Sequence, residues 1–112
     1  MLITAILFFA AAALLGLYLL SFVLQNKTTP KGVAFTHGPL AATGLIILII
    51  YAIYNDPSPI ISIILFVLAA FGGIILILRD LTGKSLPKWL ALGHGLTAIA
   101  AFIFLLAFTF MR

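Results

Sequence analysis

Cysteine is absent from this 112-residue chain, which excludes disulfides, iron–sulfur clusters and thiolate metal sites. Glutamate is absent too. The only acids are Asp56 and Asp80, so no carboxylate pair is on hand for general acid/base chemistry. Charge of either sign is scarce at 7% of residues, against about a quarter in soluble proteins, and 65% of residues are hydrophobic, with a mean hydropathy of +1.38. A chain so composed cannot fold as a water-soluble globule.

Four apolar stretches fill the sequence: Leu2 to Leu24, Gly32 to Tyr54, Pro59 to Leu78 and Trp89 to Met111. Each reaches the roughly 20 residues a helix needs to cross about 30 Å of hydrocarbon. Lipid offers no partner for an unpaired backbone group, so such segments must be helices. The links are short (Gln25 to Lys31, Asn55 to Ser58, Arg79 to Lys88), which predicts an antiparallel, up-down-up-down four-helix bundle. Thr29-Pro30 reads as an N-cap followed by proline at the first helical position. The first stretch has no basic segment before it and no small-x-small cleavage site after it, so it is expected to be retained as a helix.

Five of the six cations (Lys27, Lys31, Arg79, Lys84, Lys88) sit in the first and third links, and none in the second. The positive-inside rule then places both basic links in the cytoplasm and both termini outside, as in a bacterial inner membrane. The net charge of +4 is thereby explained by topology, with no nucleic-acid partner. Tyr54 and Trp89 fit interfacial anchoring.

Sliding the sequence by 57 positions aligns its halves without a gap, residues 1–57 with residues 58–112, and 17 of 55 aligned pairs are identical. The matches include Phe9 with Phe66, Ala12-Ala13 with Ala69-Ala70, Gly16 with Gly73, Lys27 with Lys84, Pro30-Lys31 with Pro87-Lys88 and His37-Gly38 with His94-Gly95. Shared Leu, Ile and Ala inflate such a count, but Pro-Lys and His-Gly occur nowhere else in the chain. Each half holds two spans, so the copies enter with the same orientation and should relate by a pseudo-twofold axis along the membrane normal.

That axis puts His37 and His94 at equal depth on opposite sides of the bundle, roughly 10 Å along their helices at 1.5 Å per residue. An ionisable residue at that depth is a functional candidate by default. At helical spacing His37 keeps Ala34, Ala41 and Gly44 on its face, and His94 keeps Ala91, Ala98 and Ala101. Small residues allow close packing, as do Ala12-x-x-x-Gly16 and Ala69-x-x-x-Gly73. They also leave a flat slot, widened by Gly38, Gly95 and Gly93. Two imidazoles without a nearby carboxylate are too few for a zinc site. They are enough for the two axial positions of haem iron, with Lys31 and Lys88 among the cations at the end where propionates would lie. No Cys-x-x-Cys-His is present, so attachment would be noncovalent.

Paired membrane helices that each give one histidine, set among glycine and alanine, resemble the small four-helix membrane b-type cytochromes, including membrane anchors of respiratory enzymes. The resemblance implies haem b on His37 and His94, electron transfer rather than an enzyme's own catalysis, and a redox partner: a quinone, a soluble carrier or another membrane subunit. Tyr18, Ser21 and Thr36 offer hydroxyls, though such groups usually bond their own backbone. The alternative is a structural or assembly subunit of a larger complex without its own cofactor, or a pigment-binding one. Small multidrug transporters match in length and span number but depend on a membrane glutamate that this chain lacks. No charged ring or polar stripe suggests a channel.

Overall fold

The computed structural model describes all 112 residues as four helices: α1 (Leu2–Leu24), α2 (Lys31–Tyr54), α3 (Ile60–Leu81) and α4 (Lys88–Phe110). At 22 to 24 residues each, all four are long and apolar enough to cross a membrane. α1 pairs with α2 and α3 with α4 as hairpins, and the hairpins close through α1 against α4 and α2 against α3. The result is an antiparallel bundle 43 Å long and about 20 Å wide, with α1 diagonal to α3 and α2 diagonal to α4. Only 14 residues are buried, while leucines, isoleucines and phenylalanines lie exposed on all four helices. That distribution suits a solvent as apolar as the side chains themselves.

The core is built from repeat-equivalent pairs. Leu48 and Leu105 are fully buried, Ala5 is matched by Ser62, and Ala12 by Ala69. Phe9 and Phe66 stack face to face, centroids 3.8 Å apart and planes within 2°, which joins the diagonal helices α1 and α3. A Cβ on Gly44 would stand 3.2 Å from the Phe9 ring, so that glycine lets α2 close over the stack.

The basic links repeat as well, through a feature not read from the sequence. After α1, Asn26 adopts φ 57°, with its N–H on the Val23 carbonyl and that of Lys27 on the Phe22 carbonyl; after α3, Gly83 adopts φ 74°, with matching bonds from Gly83 to Asp80 and from Lys84 to Arg79. Both turns are Schellman motifs, and asparagine and glycine are the residues that enter the left-handed region at least cost.

Two local expectations are corrected. α3 runs a turn beyond Leu78, through Arg79-Asp80-Leu81, because charged side chains end an apolar run without ending a helix. Thr29 does not cap α2: Pro30 holds the cap position without a side-chain bond, and the Thr29 hydroxyl instead donates to Asp80 Oδ2 at 2.5 Å. A carboxylate is the stronger acceptor. Lys31 completes this knot with a 2.6 Å salt bridge to Asp80 Oδ1, tying the start of α2 to the end of α3 across the two hairpins.

Candidate functional site

The two half-buried histidines come together between the diagonal helices α2 and α4. Their ring centroids are 6.1 Å apart and their planes nearly perpendicular at 86°. Each ring is fixed by a backbone carbonyl of its own hairpin: His37 Nδ1 lies 2.8 Å from the Ala12 oxygen and His94 Nδ1 lies 2.7 Å from the Ala69 oxygen. A carbonyl can only accept, so Nδ1 carries the hydrogen in both rings. In the neutral form of such a ring, Nε2 keeps its lone pair. A carbonyl that fixes the tautomer and orientation of one ring nitrogen is also how proteins prepare the other as a metal ligand.

The carbonyls available for this lie where small residues bring helices close. Ala12 and Ala69 are buried. Beyond them, the helix backbone at Gly16 and Gly73 abuts the rings: a Cβ on Gly16 would stand 2.9 Å from His37 Cε1, and one on Gly73 would stand 3.1 Å from His94 Cε1. Gly72 also borders His94: a Cβ there would stand 3.5 Å from the His94 Cβ. The sequence marks Gly16 and Gly73 as packing residues but does not connect them with the histidines. The signal was present, since both pairs repeat at the same offset of 57.

The other site residues fall into three groups. Ala34, Ala41 and Ala98 are half-buried and Ala91 is buried on the histidine helices. Gly44 and Ala101 sit a layer deeper, Gly44 against Phe9 and Ala101 in the core cluster around the Phe9–Phe66 stack. A Cβ on Gly38, Gly93 or Gly95 would meet nothing within 4 Å. Lys31 is engaged with Asp80, while Lys88 is exposed.

Two cavities, of about 210 and 120 Å³, lie elsewhere, the first between the start of α3 and the end of α4 around Ser62 and Phe108, the second around Leu45 and Phe71 between α2 and α3. Neither borders a histidine. The chain matches no family model, no curated protein and no solved structure. Any reading of the site therefore rests on its own chemistry.

Proposed function

We propose that this integral membrane bundle is a b-type cytochrome that holds one haem between α2 and α4 through Nε2 of His37 and of His94, and that it transfers electrons. The observation that carries the reading is the anchored pair. The two rings, one from each hairpin, stand 6.1 Å apart between their centres, and Nε2 of each would be the atom offered to the iron. Both Nδ1–H groups are already committed to carbonyls, so each ring has one free nitrogen and one fixed orientation. Gly16 and Gly73 keep the flanks of the layer free of side chains.

The donor set would fit the group: two ring nitrogens, each on an imidazole oriented by a backbone carbonyl of its own hairpin. Held by His37 and His94, the haem would supply one-electron transfer. The chain's own residues orient the two imidazoles through the Ala12 and Ala69 carbonyls. In this reading the basic links face the cytoplasm and the termini face outward, and a quinone, soluble carrier or neighbouring subunit exchanges the electrons.

The same hydrogen bonds favour a second reading, in which each histidine locks its hairpin and the protein is a structural subunit. The test is the absorption spectrum of detergent-purified protein produced with ample haem, oxidised and then reduced with dithionite, together with His37→Ala and His94→Ala. Sharp reduced bands at about one haem per chain, lost in either variant, support the cytochrome. Colourless protein, or a spectrum that survives one of the substitutions, refutes the shared-haem arrangement. Loss of stability alone would leave the histidines as helix locks.

A further inference from the structure

The basic end of the bundle breaks the internal repeat in one place. On the α2–α3 seam, Lys31 Nζ bonds Asp80 Oδ1 at 2.6 Å and Thr29 Oγ1 at 3.0 Å, and Thr29 bonds the other carboxylate oxygen. Shifting these positions by 57 leads to the α1–α4 seam, where Lys88 stands for Lys31, Val23 for Asp80, Leu86 for Thr29 and Lys27 for Lys84. The cations persist and the acid is gone. No other carboxylate side chain can reach: Asp56 is in the link between α2 and α3, at the opposite end of the bundle.

We infer that an anionic phospholipid headgroup from the leaflet at the basic end takes the place of the missing carboxylate, held by Lys88 and Lys27 at the α1–α4 seam. Lysines at the membrane surface attract anionic lipids. The surroundings select a lipid rather than a soluble anion. Leu24 and Leu92 are exposed on the two helices of this seam, and Trp89, beside Lys88, is 75% exposed where an indole sits at headgroup level. Acyl chains therefore have an apolar wall to follow below the phosphate. At the α2–α3 seam the chain's own carboxylate already does this work, so only one of two related seams recruits a lipid. This inference does not depend on whether haem is bound.

The experiment is native mass spectrometry of the detergent-purified full chain with added phosphatidylglycerol or phosphatidylcholine. The wild type should retain several-fold more phosphatidylglycerol than phosphatidylcholine. Lys27→Ala with Lys88→Ala should bring the two to parity, whereas Lys84→Ala, at the repeat counterpart of Lys27, should leave the preference intact. Val23→Asp should also bring parity by supplying the absent carboxylate from within; if that variant does not fold, the lysine variants decide alone. Equal retention of both lipids by the wild type, or a preference that survives loss of both lysines, overturns the inference. Millimolar inorganic phosphate that displaces the phosphatidylglycerol would assign the seam to a soluble anion and overturn it equally.

Discussion

Gly16→Ala and Gly38→Ala are the same chemical change in two membrane helices, and the structure predicts different results. A methyl on Gly38 meets nothing within 4 Å, while a methyl on Gly16 comes within 2.9 Å of His37 Cε1. The ring cannot swing away freely, because its Nδ1 is held by the Ala12 carbonyl at 2.8 Å. Either that hydrogen bond breaks or α1 is pushed from α2. Such overpacking costs about 1–3 kcal/mol. Both variants share the helix-propensity gain of alanine over glycine, about 1 kcal/mol, so the difference between them isolates the contact. Gly16→Ala should be less stable than Gly38→Ala by about 1–3 kcal/mol, and Gly73→Ala, with its 3.1 Å contact, should fall toward the lower end. Reversible unfolding in mixed micelles, titrated with dodecyl sulfate and followed by circular dichroism, gives the comparison. In the Gly16→Ala, His37→Ala double variant the methyl has no ring to meet, so the two effects should couple rather than add. Equal stability of Gly16→Ala and Gly38→Ala would refute the packing of His37 against α1.

Asp80→Asn should weaken the α2–α3 seam by about 1.5–3 kcal/mol, the usual worth of hydrogen bonds to a charged group, measured in the same micelle titration. Adding Lys31→Ala to it should cost little more, since both remove one interaction. For topology, single cysteines in this cysteine-free chain report sidedness directly: Thr28→Cys and Ser85→Cys should react with an impermeant maleimide only after cells are opened, and Ser58→Cys in intact spheroplasts. The reverse pattern would invert the orientation inferred from the lysines.

The bundle was legible because membrane helices are specified by length and apolarity alone, and here nothing else competes. The repeat was legible for a different reason: rare dipeptides such as His-Gly and Pro-Lys align at one offset, which composition cannot imitate. It predicted equivalent environments, and the paired Phe9–Phe66 and His37–His94 contacts supply them. The left-handed turns at Asn26 and Gly83 were within reach of the same alignment, since both residue types tolerate that conformation.

Sequence by itself determined four spanning segments, two related hairpins and a pair of histidines at one depth, because each follows from local apolarity or from internal identity. Tertiary structure decided what those histidines touch. Periodicity assigns a residue to a face of its own helix but is silent on which helix that face meets, or at what height. The partners of His37 and His94 proved to be carbonyls and glycines of α1 and α3. In the same way Asp80 turned from a link residue into the acceptor for Lys31 and Thr29, some 50 positions earlier in the chain. Only the closing of one hairpin on the other brings those groups within hydrogen-bonding distance.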